Sequence, residues 1–365
     1  MLLDDLAGMI QVRGTGRISA KGMAPVREIL SRSSALERFD RRRKPECRDL
    51  KFTSVQILTV LLFCEIKGYG VEQYKEATTG RGSQVVLKNL GMPLGKGGAY
   101  IAPSPAWLST FKNGDFKILR HDLEEELRGA IVALKTSQEA TTVTIDSTPL
   151  EASRYSKWAD FNPHYKIWMA KCHIVMMGGT PIHWTFTNGN CGDNPQFRRM
   201  LEGLENRSLP VLGVHADGGY DSVETYVDVF LKTGKTMHGN PGSNAKVHKE
   251  YLWKNMLKRY NRLFRERDFV PAKRTSGEHI LRYLVSHGER EAVGYFLRNV
   301  DISRGKKLRK EGAHRRHICE TVHHGMKRWI QFDVRGLHSK HIGPSLSLKM
   351  LTCTILSILF RPYTY

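Results

Sequence analysis

At 365 residues the chain has room for two or three domains with a substantial core, and 40% hydrophobic residues beside 25% charged ones exclude a disordered polyelectrolyte. Lys and Arg number 57 against 36 Asp and Glu, a formal net charge of +21 that points to a polyanionic partner, either nucleic acid or an anionic membrane surface. The apolar runs Val55 to Cys64 and Met350 to Phe360 fall short of the ~20 residues that a spanning helix needs, so a membrane partner is not expected.

The N-terminus, MLLDDLAGMI, carries two aspartates where a secretory signal would carry positive charge, so a soluble cytoplasmic protein is expected. Residues 1–137 read as a mainly helical, basic region. Arg38 to Lys44, RFDRRRK, is a charge run that serves either as a solvated loop or as a phosphate contact. Val55 to Ile66 is apolar enough for a buried helix. Ile118 to Lys135 sets Leu119, Leu123, Leu127, Ile131 and Leu134 at helical three- and four-residue spacing. Between these two, GMPLGKGGAY (Gly91 to Tyr100) lacks the glycine spacing of a Walker loop and has Gly97 where Ser or Thr would hold magnesium, so a flexible glycine loop is expected. Ser104 and Pro105 cap a short helix, PAWLSTFKN, suited to reading DNA or to packing.

From Thr141 the texture changes to strands. Thr142 to Ser147, His164 to Met177 and Thr180 to Asn188 are three consecutive candidates, the last two joined by Gly178-Gly179, a hairpin signal. A helix from Asn194 to Leu204, a buried strand from Leu209 to Asp217, a helix from Ser222 to Lys232 and a short strand from Lys235 to Gly239 follow. Three strands, helix, strand, helix, strand is the order of the ribonuclease H-like fold; a doubly wound sheet would alternate from the start. The expected class is therefore α/β, a ribonuclease H-like catalytic domain over 138–365 preceded by the helical N-terminal domain.

Residues 240–313 read as a basic segment inserted into that domain. Lys246 to Glu311 holds 18 Lys and Arg against 8 Asp and Glu, a net of +10, and Tyr251, Trp253, Tyr260 and Phe264 interleave with the basic residues. That pattern favours phosphate contact over a solvated helical insertion. His314 to Val334 resumes as one helix. Pro344 to Phe360 forms another, apolar nearly all round and so buried. The six cysteines, Cys47, Cys64, Cys172, Cys191, Cys319 and Cys353, include no C-x-x-C pair and read as reduced and structural.

Asp146 lies in the β-branched run TVTID and Asp217 closes VLGVHAD. Acidic residues disfavour strand interiors, and two carboxylates side by side repel; a divalent cation resolves both problems. A third ligand belongs on the returning helix. There Arg316, Glu320, His323, His324 and Lys327 share one stripe, opposite Ile318, Val322, Met326 and Ile330. Glu320 sits mid-stripe with cations on either side, as suits a metal-bound carboxylate beside phosphates.

IDSTPLEAS around Asp146, ADGGYDS around Asp217, and R-x3-E-x6-K over Arg316, Glu320 and Lys327 resemble the three catalytic motifs of DDE transposases of prokaryotic insertion sequences. The resemblance covers roughly 141–335. In many relatives the third motif begins with tyrosine, Tyr-x2-Arg-x3-Glu-x6-Lys; here that position is Ala313, which removes any tyrosine contact to the end phosphate. The resemblance implies that Asp146, Asp217 and Glu320 hold two Mg²⁺ ions, with Mn²⁺ able to substitute. One ion would activate water or a 3′-hydroxyl, and the other would stabilise the leaving oxygen of an in-line phosphodiester displacement. It also implies DNA contacts from Arg316, Lys327 and His324, and DNA-end binding by residues 1–137. The partners would be terminal inverted repeats and target DNA, bound by a nucleoid-associated homodimer that synapses two ends.

Relatives that pass through a hairpin intermediate hold an extruded base with tryptophan; Trp253 and Trp329 are available for this, though core packing is the simpler role for each. Asp221 reads most simply as a helix N-cap. Two rival functions remain. One is a zinc hydrolase or zinc site from His317, Cys319, Glu320, His323 and His324, against which stands the lack of H-E-x-x-H. The other is a catalytically inactive, transposase-derived DNA-binding protein, against which stands the intact acidic triad.

Overall fold

The computed structural model describes residues 19–43, 51–136, 141–152, 154–155, 159–205, 211–239, 241, 245–265, 276–310 and 339–359. Helices come first: α1 (Ala24–Ser31), α2 (Ser34–Arg43), α3 (Ser54–Lys67), α4 (Val71–Thr79), α5 (Ser83–Asn89), α6 (Pro105–Asn113) and α7 (Asp115–Thr136). Local chemistry sets their ends. Thr53 caps α3 through a reciprocal pair, its hydroxyl accepting from Gln56 N while Gln56 Oε1 accepts from Thr53 N, and Gly68 at φ 65° closes the other end. Glu126 of α7 accepts from Ser33 Oγ and from the Ser34 and Ala35 amides at the start of α2. Partial burial raises that carboxyl, but those hydrogen bonds outweigh it and hold it below its ordinary value. Leu58, Leu62, Phe111, Phe116 and Leu123 fill the core these helices share.

Arg38 to Arg43 of the charge run lie in helix α2 rather than in a loop, with Arg41 paired to Glu37 and Arg43 to Asp40 and Asp115. The glycine segment is a closed turn and not a flexible loop. Leu94 bridges Tyr100, Gly95 N donates to Ala99 O at 2.8 Å, and Gln84 holds the Tyr100 amide at 2.7 Å.

The sheet begins at β1 (Thr141–Glu151), followed by β2 (Asp160–Asn162), β3 (Ile167–Met177) and β4 (Thr180–Asn188). Helix α8 (Asp193–Glu205), β5 (Val211–Ala216) and α9 (Val223–Thr233) complete the run. Strand β3 lies between β1 on one side and β4 with β2 on the other, all antiparallel, and β5 pairs with β1 in parallel. Gly178 and Gly179, at φ 52° and 77°, form the turn between β3 and β4; both angles are positive, as a tight hairpin with right-handed strand twist requires. Val143, Ile145, Val175 and Val214 face one core with helices α8 and α9. Leu150, Cys172, Ile174 and Met176 face a second, beneath the C-terminal helix.

Lys235 to Gly239 does not form the expected strand. His238 makes one parallel bridge to His215, donating to Val214 O and accepting from Ala216 N, and the Gly239 amide, which points away from β5, donates to the Asp301 carboxylate at 2.8 Å. The basic stretch after it folds into α10 (Trp253–Arg265), α11 (Gly277–Ser286) and α12 (Arg290–Lys310). Its aromatics pack on one another: Tyr260 is buried against Phe264 and Tyr283, and Trp253 lies on Phe296. Its arginines are also engaged within the chain. Arg259 and Arg262 pair with Glu289, Arg282 with Glu278, Arg290 with Glu224 and Asp228, and Arg298 with Asp221. Packing and ion pairing thus absorb much of what reads in sequence as a DNA-contacting pattern.

The last helix, α13 (Ser339–Leu359), is buried all round over 344–357, as its composition predicts, and joins the two halves. Lys349 pairs with Glu65 of α3 at 3.0 Å, Ser347 accepts from Arg120 of α7 at 3.2 Å, and Met350 touches Cys172 of β3. The described cysteines, Cys64, Cys172, Cys191 and Cys353, are free thiols, and burial pushes Cys64 up to about 12. Among the described residues no single helix is long and apolar enough to cross a membrane.

Glu124 of α7 lies beneath α13 with Oε1 buried and unpaired, and burial pushes its carboxyl up to about 7 against the pull of Arg120 and Arg128. A carboxyl raised in the folded state binds its proton more tightly there than in the unfolded chain. Its contribution to stability is therefore full below about 4.5 and is lost as pH rises to about 7. Glu124→Gln should flatten this slope, so the urea midpoint of the variant exceeds that of the parent at pH 8 but not at pH 4.5.

Candidate active site

Two parallel strands deliver two carboxylates to one place. Ile145 of β1 is level with Ala216 of β5, so the next residues, Asp146 and Asp217, stand side by side where β5 ends. Ile145 and Ala216 are buried in the core under α8 and α9. Alternation along each strand turns the following side chain to the opposite face, out of that core. Neighbouring strands lie about 5 Å apart, so the backbones that carry the two carboxyls are adjacent. Each also folds back on its own backbone, Asp146 Oδ1 accepting from Ser147 N at 2.7 Å and Asp217 Oδ1 from Gly218 N at 2.6 Å. All donors in the pair are hard oxygens, a set that matches Mg²⁺ or Mn²⁺ better than a soft metal.

A polar network braces the turn that carries Asp217. Tyr220, fully buried on Phe197, brings its hydroxyl to 3.4 Å from His173 Nδ1, while His173 Nε2 lies 2.9 Å from Thr187 Oγ1. Asp193, at the start of α8, accepts from Lys171 Nζ at 3.1 Å and lies 3.6 Å from His173 Nδ1; Lys171 also donates to Cys191 O at 3.1 Å. Burial pushes the His173 imidazole down to about 4 although Asp193 pulls it up, so the ring is neutral at neutral pH. Burial, then Asp193, Asp146 and Asp217, raise the Tyr220 phenol well above its ordinary value, so it acts as a neutral hydroxyl donor. Three aspartates therefore lie within electrostatic reach of one tyrosine, and Lys171 compensates the one on the buried side.

A Cβ at Gly219 would lie 2.9 Å from Asp193 Oδ2, so a larger residue there would force that carboxylate to shift. From the other side Arg298 of α12 grips Asp221 with two hydrogen bonds, of 2.8 and 2.6 Å. Asp221 is thus an arginine ligand and not the N-cap. Ser222 caps α9, its hydroxyl accepting from Thr225 N at 3.3 Å.

The structure brings Asp146 and Asp217 together. Glu320, Arg316, His324 and Lys327, and with them Ala313, His317, Cys319, His323 and Trp329, lie outside the described residues. Among the described residues no group of three or more His, Cys, Asp or Glu side chains is placed to hold a metal ion. Sequence reasoning missed Lys171, His173, Asp193 and Tyr220. A signal was present for the first two: they are polar residues at alternate positions of an otherwise apolar strand, hence on one face.

A family model described as a transposase DDE domain matches residues 137–342, more than half of the chain. No curated protein and no solved structure matches it.

Lys171 and Asp193 are each less than a fifth exposed, so cutting one partner leaves the other poorly solvated. Lys171→Met should lower stability by about 1–3 kcal/mol in urea unfolding, and Lys171→Met combined with Asp193→Leu should recover part of that loss.

Proposed function

Because the chain belongs to the DDE transposase family, we propose that it cuts DNA at the ends of a transposable element and joins those ends to target DNA, with Asp146, Asp217 and Glu320 as the catalytic carboxylates. The observation that carries this reading is the level placement of Asp146 and Asp217 at the end of β5. The strand order β4–β3–β1–β5, with β1 and β5 parallel, supports a ribonuclease H-like catalytic domain over 138–365.

Asp146, Asp217 and Glu320 would hold divalent metal, Mg²⁺ or Mn²⁺ and two ions in the full site. Bound there, the metal supplies Lewis-acid activation of the attacking hydroxyl and of the leaving oxygen. The chain's own work is positional. The parallel pairing sets the spacing of the two aspartates. The Tyr220 and His173 network and the Arg298 clamp fix the turn after β5 from opposite sides, so Asp217 does not retreat from its neighbour. Arg316, Lys327 and His324 would contact phosphates beside Glu320. Residues 1–137 would bind the DNA end, 240–313 would form a basic insertion, and two copies would synapse two ends.

Asp146→Asn, Asp217→Asn and Glu320→Gln should each lower Mg²⁺-dependent cleavage of DNA bearing the element's ends by about a thousandfold or more, with end binding nearly unchanged. Cleavage at parental rates by all three variants would refute the site. Parental chain that binds ends without cleaving them in Mg²⁺ or Mn²⁺ would instead mark an inactive derivative. Binding should weaken linearly in log–log plots against salt, since phosphate neutralisation releases counterions.

A further inference from the structure

Strands β1 and β3 run on beyond the carboxylates and carry a small arm there. The Ala152 amide donates to Trp168 O at 2.9 Å, and Ala152 is six residues past Asp146, about 20 Å along the strand at its usual rise. Strand β5 ends level with Ile145, so the arm overhangs the end of the sheet where Asp146 and Asp217 stand.

This arm, from Asp160 to Trp168, exposes what a folded surface ordinarily hides. Phe161, Tyr165 and Trp168 are 46%, 53% and 38% exposed, and the Phe161 and Trp168 rings form a cross-strand pair 5.9 Å apart. The arm is also firmly built. Asn162 Oδ1 accepts from the His164 and Tyr165 amides, and Asn190 binds Asp160 Oδ2 through its amide and Phe161 O through its side chain. Lys166 sits at φ 55°, a left-handed conformation unusual for lysine, which puts a cation at the tip. The arm's one acid, Asp160, is turned to the sheet by Asn190. Exposed His164 and Lys166 on the arm, and Arg154 over the Tyr155 ring nearby, leave the outer surface basic.

On the transposase reading, which it deepens, we propose that this arm grips DNA near the cleavage site by stacking its aromatic rings on unpaired bases while Lys166 meets a phosphate. Flat aromatic faces beside cations fit a nucleic-acid strand whose bases are accessible. Twenty ångströms corresponds to about six nucleotide steps, so the contact falls just outside the position of the reacting phosphate. A second copy of the chain is a poorer occupant. Three half-exposed aromatic side chains offer roughly 300 Å², against about 800 Å² per partner in a stable interface.

The test uses the full chain and two labelled probes of the same sequence, a fully paired duplex and one with a central mismatch bubble. The parent should prefer the bubble. The Phe161→Ser, Trp168→Thr double variant should bind the bubble about tenfold more weakly and the paired duplex nearly as before. Phe161→Tyr with Trp168→Phe keeps the rings and should keep the preference, which separates stacking from misfolding. Lys166→Asn, which tolerates the left-handed backbone, should reduce the salt slope by about one. Equal binding of the bubble by parent and double variant overturns the proposal. So does a change from dimer to monomer in sedimentation with the bubble preference intact, which would assign the arm to a second copy. Mg²⁺-dependent cleavage by the parent is scored separately: if it persists while the bubble preference is absent, the arm fails and the transposase reading stands.

Discussion

The level placement of Asp146 and Asp217 by the parallel pairing of β1 and β5 is the constraint around which this half of the chain is arranged. The turn after β5 is the weaker of their two supports, because Asp146 lies within a long strand paired on both sides whereas Asp217 follows the last residue of a short one. The turn is accordingly pinned from beneath by Tyr220 and its buried polar partners, and from the side by Arg298 on Asp221. Gly219 leaves room for the Asp193 carboxylate, whose Oδ2 would lie 2.9 Å from a Cβ placed there.

The same need explains what the basic helices do. Their arginines reach inward to Glu224, Asp228 and Asp221 around α9 and to Glu289 among themselves. Asp301 of α12 takes the Tyr226 hydroxyl at 2.7 Å and the Gly239 amide. The described part of the segment therefore acts as a buttress for the turn. Lys246, Lys249, Lys254 and Lys258 of this segment stay exposed at the surface. Helix α13 has a comparable role on the opposite sheet face, where Met350 and Leu346 pack under the strands while Leu351 and Ile355 enter the helical core, so the N-terminal region and the sheet share one buried element.

Composition and local periodicity were enough for most of the elements. The helices Ser54–Lys67 and Pro105–Asn113, the strand Thr180–Asn188 and the turn at Gly178-Gly179 follow from neighbouring residues alone, through capping, apolar spacing and paired glycines. Asp146 and Asp217 stood out for the same reason, as acids in apolar runs. Long-range pairing decided the rest. Nothing within Lys235 to Gly239 shows that its pairing is limited to one bridge or that a carboxylate from residue 301 will take the Gly239 amide. Nothing near Tyr251, Trp253 or Tyr260 shows that each ring already has a protein partner. Sequence alone thus determined where charge is concentrated and which acids interrupt apolar runs. Only the tertiary structure decided which charges are consumed inside the fold, because an ion pair between residues 77 positions apart, such as Asp221 and Arg298, leaves no local pattern to read.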